Sequence, residues 1–399
     1  MFPFELSFTT RIIFGTGELA RIGEEVKTLG KKAFLVTGGK SAKASGLVDR
    51  VIDYLTSAQV EFVLFDKVEP NPRTTTVDEG ARLAREHHCD VVLAVGGGSV
   101  MDAAKAIALS AHSGRPIYDY MRGNPNGLSK ESAPISSALP IVTVPTVAAT
   151  GSEANELSVL TNWETHEKSS ISGSGLLPKI AIMDPSLTYT VPPNVTAEAC
   201  ADIFSHLFEA YVIDTHKQHV QDGFTESLIR QVVAFAKIAM DQPDNEEARA
   251  TLLWTSTLAI SPFTLAGRSG RYPLHQAEHT LSGYYDISHG RGLAILSIPY
   301  FQQIILEDRP DRLARMGREC FGVRFEDDRQ AAEATIEAIA AWYRELGITQ
   351  RLSDFGITRE SLPVMARDSI RIGGRGADHI KSSRSLYESD ILALYEACF

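Results

Sequence analysis

Asp202 and His206 lie four residues apart in ACADIFSHLFEAYV. On an α-helix that spacing puts both side chains on one face, one turn apart. His275 and His289 follow in PLHQAEHTLSGYYDISHG. One carboxylate and three imidazoles suit a borderline divalent ion, Fe2+ or Zn2+. With no thiolate in the set, such a site can keep a position open for substrate, where the ion acts as a Lewis acid. Singly, Asp202 reads as a first-turn acid and His206 as a satisfied core histidine; the four together read as one metal site. HQAEH sets His275 and His279 one turn apart, so spacing alone allows either ring to bind. The remaining histidines, His87, His88, His112, His166, His216, His219 and His379, fit no converging pattern.

A second chemistry is legible upstream. AVGGGSVMDAAKAIA (residues 94–108) follows an apolar run and opens a helical pattern. Gly96, Gly97 and Gly98 let a diphosphate approach the backbone, and the helix start offers N–H groups and a positive dipole end. Ser99 is expected to cap that helix or donate to phosphate, and Asp102 to meet a polar group of a nucleotide or close a capping box. The motif is not GxGxxG, the usual dinucleotide fingerprint. VPTVAATGSEAN (residues 144–155) adds Thr146, Thr150 and Ser152 in a loop that can line the rest of a nucleotide. In TGGKSAKASG (residues 37–46), Gly38, Gly39, Lys40, Ser41 and Lys43 stand where an acid would read a ribose 2′-hydroxyl. The lack of an acid there favours NADP(H) over NAD(H).

The elements that must position these groups come in two textures. Up to about residue 190, short β-rich runs (33–36, 61–65, 91–95, 141–144 and 180–183) alternate with amphipathic stretches such as 75–87 and 99–111. That order predicts a parallel sheet covered on both faces. TYTVPPNVT (residues 188–196) reads as a linker. Beyond it, 197–211, 218–240, 246–256, 330–346 and 388–397 read as helices. The expected organisation is α/β plus all-α: a Rossmann-like nucleotide domain over 1–190 and a helical metal-binding domain over 191–399.

Composition bounds the partners. A formal charge of −11 over 399 residues argues against nucleic acid and acidic membranes. No run approaches a membrane span, and the first residues show no leader pattern, so a cytoplasmic protein is expected. Cys89, Cys200, Cys320 and Cys398 follow no CxxC spacing and are read as reduced thiols.

With these motifs in order, the chain resembles the iron-containing (group III) alcohol dehydrogenases, which share their fold with dehydroquinate synthase. The markers are EPNPRTTTV, GGGSVMDAAKAIA, VPTVAATGSEAN, the Lys168 segment, MDPSLTYTVPP, DIFSHLFEAY and the His275–Gly290 block. The resemblance implies metal ligation by Asp202, His206, His275 and His289, and places His279 beside the nicotinamide. It implies coenzyme contacts from Gly97, Gly98, Ser99, Asp102, Thr146, Thr150 and Lys168, and from Leu187 near the adenine, and it places Asn71 near the coenzyme or its metal-side pocket. The sequence departs from the family at Val147, where relatives often carry a threonine. The implied activity is hydride transfer between NAD(P)(H) and a small primary alcohol or aldehyde, with His279 as a candidate proton relay. A dehydroquinate synthase-like lyase is the alternative; it would need more lysines and arginines near the metal helices than are present. Arg268 and Arg271 precede His275 and are read either as structural ion pairs or as contacts to an anionic substrate group or the cofactor. By resemblance the protein is a homo-oligomer, a dimer or larger, and RIIF (residues 11–14) is a strand that could pair across subunits.

Overall fold

The computed structural model describes residues 2–39, 41–124, 126–128, 135–216, 218–269 and 271–399. Lys40, one of the expected coenzyme contacts, lies outside them. The chain divides into two compact units. One comprises Phe8–Val191 and Asp244–Leu253; the other comprises the N-terminal residues to Ser7, Pro192–Pro243 and Trp254–Phe399. The main crossing therefore falls at Val191/Pro192. Two excursions are invisible to a simple cut: the first residues belong with the helical unit, and 244–253 with the sheet unit.

The first unit holds a six-stranded sheet in the order β1-β8-β5-β4-β2-β3. Its strands are β1 (Arg11–Phe14), β2 (Lys32–Gly38), β3 (Glu61–Val68), β4 (Val91–Gly96), β5 (Ile141–Pro145) and β8 (Ile180–Met183). All neighbours run parallel. β4 is buried along its whole length, as a central strand covered on both faces must be. Alternate residues feed two cores: Phe34, Val36, Val92 and Ala94 point to one, and Ala33, Leu35, Val91, Leu93 and Val95 to the other. The helix Gly98–Ser113 leaves the end of β4 and is buried from Val100 to Ala111.

A two-stranded antiparallel hairpin, β6 (Leu157–Asn162) with β7 (Glu167–Ser172), was not expected. β7 reads EKSSIS and lacks the apolar alternation that marks a strand. The linker is also shorter than its prolines suggested. Pro193 occupies the first turn of a helix reaching Val212, where its missing N–H costs no hydrogen bond.

The second unit is helical. Its central helix, Pro193–Val212, is buried at every residue from Ala199 onward. A helix apolar all round belongs in a core, yet this one carries Asp202, His206 and Glu209 on one face. Such groups stay buried only when paired or bound to a cation.

Candidate active site

The helix Pro273–Tyr285 brings His275 and His279, and the helix His289–Tyr300 brings His289 at its first residue. A chain of hydroxyls holds the former in place: Tyr395 donates to the Ala277 carbonyl at 2.7 Å, Ser369 contacts Tyr395 at 2.7 Å, and Thr280 contacts Ser369 at 2.7 Å. The result converges on one atom. Asp202 Oδ1 lies 3.7 Å from His206 Nε2, 3.6 Å from His275 Nε2 and 3.9 Å from His289 Nε2. The His206 and His275 rings stack at 4.7 Å between centroids. Donors bound about 2.1 Å from a tetrahedral ion stand roughly 3.4 Å apart, close to these spacings.

Three buried atoms of this cluster, Asp202 Oδ1, His275 Nε2 and His206 Nδ1, have no hydrogen-bond partner among the described residues. Buried polar atoms are normally paired, so the donor set fits a divalent ion. The electrostatics agree. Burial opposes charge on Asp202, but the surrounding imidazoles outweigh it and hold the carboxyl well below its usual range. Burial pushes His206 down to about 3, keeping it neutral as a ligand must be. Burial also opposes charge on His275, but Glu209 and Asp202 prevail and push the ion-free ring up to about 10.

His279 is buried, with its ring 5.6 Å from that of His289. His275 directs its Nε2 at Asp202, and His279 groups with Glu278 and His289. Two residues that the sequence reading did not single out complete the centre. Glu209 accepts from His275 Nδ1, and Glu278 from His289 Nδ1.

Arg268 is no part of this cluster. Its side chain is almost fully buried and bonds Asp214 at 3.1 Å, Asp222 at 2.7 Å and the Thr264 carbonyl at 3.0 Å. Arg312 joins the same Asp222 at 2.7 Å. Of the two readings given for Arg268, the structural ion pair is the one present. Arg271 is exposed.

In the sheet unit, the glycine and threonine loops meet at the ends of β4 and β5. Thr146 N donates to the Gly96 carbonyl at 3.0 Å. A Cβ on Gly98 would meet Thr150 Cγ2 at 2.4 Å, so only glycine allows this approach. Gly97 is the N-cap of the following helix and no side chain caps it. Ser99 accordingly sits inside the first turn and is not the cap. Asp102 is buried and faces inward: Oδ1 accepts from Ser152 Oγ at 2.6 Å and Oδ2 from Val159 N at 3.0 Å. In this arrangement Asp102 and Ser152 hold each other. Lys105, one turn on, is fully buried and donates to the carbonyls of Asn155 and Leu157 and to Asn155 Oδ1. Sequence reading missed it, although a lysine three residues beyond Asp102 on an apolar helix is a signal.

Lys168 on β7 reaches Asn71 Oδ1 at 2.9 Å. Asn71 has φ +50, the left-handed region that asparagine tolerates better than most residues. Gly38, at the end of β2, lies near Val68 of β3 and Val100 of the glycine-loop helix. Gly39 follows, against the Asp66 carbonyl. Lys43 is paired with the Asp66 carboxylate. Leu187 is buried in the core on one side of the sheet.

A parallel-sheet unit with a glycine-rich strand-to-helix turn, and a helical unit with a carboxylate–trihistidine cluster, define a metal- and dinucleotide-dependent enzyme. The family description for iron-containing alcohol dehydrogenase matches residues 9–185, and that for the C-terminal region of the Fe-containing alcohol dehydrogenase family matches 196–399. The chain belongs to this family and is an alcohol/aldehyde oxidoreductase. It is similar to NADH-dependent butanol dehydrogenase A of Clostridium acetobutylicum, 37% identical over the whole of both chains. It is 30% identical to the NADPH-dependent aldehyde reductase YqhD of Escherichia coli, over 97% of this chain and 99% of that protein. The crystal structure of NADH-dependent butanol dehydrogenase A from Thermotoga maritima superposes with a TM-score of 0.93 at 32% identity, covering 100% of this chain and 99% of that one. Among the described residues no helix is long and apolar enough to cross a membrane.

Proposed function

We propose that this oxidoreductase interconverts small primary alcohols and aldehydes, with Fe2+ as its ion and NADP(H) as the preferred coenzyme. The observation that carries the reading is the convergence of three imidazole Nε2 atoms within 3.6–3.9 Å of Asp202 Oδ1, a buried oxygen without a hydrogen-bond partner among the described residues. Asp202, His206, His275 and His289 would hold the ion. When bound, the ion supplies Lewis acidity toward a substrate oxygen, and the nicotinamide accepts or delivers the hydride.

The chain's own residues do the rest. Gly97, Gly98 and the first turn at Ser99 receive the diphosphate. Thr146 and Thr150 line the adjoining loop, and Asp102, Ser152 and Lys105 fix that loop to the helix. Lys168, oriented by Asn71, and Leu187 are assigned to the coenzyme. Gly38 and Gly39 leave space at the ribose, and Lys40 is assigned there from sequence. His279 passes a proton at an imidazole nitrogen between substrate hydroxyl and solvent. A His279→Ala enzyme with unchanged rate and pH profile would remove it from that role.

NADP(H) is supported by the acid-free loop at residues 38–43. The relatives divide between NADH-dependent and NADPH-dependent proteins. The small-substrate reading rests on butanol dehydrogenase and 1,3-propanediol dehydrogenase, to which the chain is 37% and 33% identical. The experiment is oxidation of NADPH and NADH with short aldehydes, before and after chelation and with Fe2+ or Zn2+ restored. Activity that survives full chelation overturns the metal assignment. Ratios of kcat/KM settle the coenzyme, elemental analysis of anaerobically purified protein identifies the ion, and sedimentation tests the expected homo-oligomer.

A further inference from the structure

Glu209 and Glu278 are both completely buried. Ionised groups at such depth need specific partners. Glu209 is four residues from Ser205 and accepts its hydroxyl at 2.8 Å. The same Oε1 accepts His275 Nδ1–H, and Oε2 accepts the backbone N–H of Leu274 at 2.6 Å and of His275 at 3.3 Å. Glu278 repeats the pattern in another helix. It is four residues from Ser282, whose hydroxyl bonds Oε1, while Oε2 accepts His289 Nδ1–H. The ring nitrogen facing each carboxylate must be the protonated one. Nε2 of each ring is thereby the position left to bind an ion, and each Nε2 is the atom nearest Asp202 Oδ1. Among the described residues His206 has no such support, because its Nδ1 is buried without a hydrogen-bond partner there.

We propose that Glu209 and Glu278 are positioning residues that fix the tautomer and orientation of His275 and His289, and that they set how tightly the centre holds a dication. The inference rests on the four-ligand reading above. A carboxylate behind an imidazole raises its basicity and locks its ring, and loss of such a partner typically weakens metal binding by about 10–100-fold. Together with Asp202 the two glutamates place three carboxylates around one centre. That charge selects a dication over monovalent ions.

The test uses Co2+ as probe, because its d–d absorption reports the ligand field directly. Apoprotein of the wild type, Glu278→Gln and Glu209→Gln is titrated with Co2+ in competition with a chelator. Glutamine keeps the volume and removes the charge. Glu278→Gln is expected to bind Co2+ about 10–100-fold more weakly, with shifted bands and an unchanged apoprotein melting temperature. Glu209→Gln should behave similarly, with some loss of melting temperature because its carboxylate also holds the start of the Pro273–Tyr285 helix. A variant that binds Co2+ with wild-type affinity and wild-type bands overturns the assignment for that glutamate. If Glu278→Gln does not fold, the Glu209 arm decides, and the reverse holds. Wild-type apoprotein that binds no Co2+ sinks the four-ligand reading itself, an outcome distinct from equal binding by wild type and variants.

Discussion

Gly290 packs directly against the backbone of Glu198: a Cβ at position 290 would lie 2.0 Å from the Glu198 carbonyl oxygen. Both helices have little freedom to retreat. Arg291 holds the Glu198 carboxylate at 2.8 Å, and Ser288 holds its other oxygen at 2.5 Å. Glycine here therefore sets the distance between the helix that carries Asp202 and the helix that begins at His289. Gly290→Ala must push them apart, and overpacking of this kind costs about 1–3 kcal/mol. The expected outcome is folded protein with ion content reduced at least about tenfold, while coenzyme binding persists. Elemental analysis and coenzyme fluorescence titration check this; a fully loaded Gly290→Ala protein would refute it.

How far this arrangement could be read from sequence depends on the link involved. Asp202 and His206 were legible because an i, i+4 pair needs only helical geometry. The parallel sheet was legible because apolar runs such as VVLAV alternate with helical patterns. Glu209 and Glu278 were not, because a glutamate on a helix ordinarily faces water. Their proposed role depends on tertiary burial, although Glu209 falls three residues after His206, and Glu278 three after His275, both on helical faces already marked by candidate ligands. The hairpin at β6 and β7 escaped for the opposite reason: antiparallel pairing and its bonds to Asp102 on the Gly98–Ser113 helix, not its own serine-rich sequence, hold it extended.

The Lys43–Asp66 pair bears on coenzyme choice. Asp66 is held below the usual carboxylate range, first by its hydrogen bond to Lys43. Paired in this way, Lys43 offers less positive charge to a 2′-phosphate than the loop sequence suggests. Asp66→Asn releases it. The ratio of kcat/KM for NADPH over NADH is expected to rise by about 2–5-fold, the size of one partly exposed charge interaction of about 0.5–1 kcal/mol. A ratio that stays constant or falls would show that Lys43 does not face the coenzyme.

Arg268 gives a prediction with the opposite character. Its guanidinium is committed to Asp214 and Asp222 in a buried network. Removing one partner from such a network costs about 3–5 kcal/mol because the remaining charges stay buried. Arg268→Ala should lower the urea midpoint markedly. Whatever activity remains should fall equally for neutral and carboxylate-bearing aldehydes. A selective loss with the acid-bearing substrate would return Arg268 to the substrate pocket.

Lys105 links the loop proposed to line the coenzyme with stability and pH. Burial is the main cause that brings its ammonium down from 10.5 to about 8, against the pull of Asp102 and two glutamates. Below about pH 8 both folded and unfolded chains keep the proton, and the folded chain bears the cost of burying it. Between about 8 and 10.5 only the unfolded chain keeps it, so this disadvantage shrinks as pH rises. Lys105→Met removes the titration and also strips the carbonyls of Asn155 and Leu157 of their donor, at about 1–3 kcal/mol for each buried acceptor left unpaired. The wild type should therefore be the more stable protein at pH 7.5. Its advantage over Lys105→Met should widen toward pH 10 by at most about 3 kcal/mol, since one pKa unit is worth 1.4 kcal/mol. Because the loop from Thr150 to Leu157 loses its tether, the KM for coenzyme should rise several-fold while kcat changes little. Urea midpoints at three pH values and steady-state kinetics test both parts. A stability gap that narrows with pH would mean that Lys105 enters the folded state fully charged and strongly paired, and the tether would then act through an ion pair with Asp102 instead of through its carbonyl hydrogen bonds.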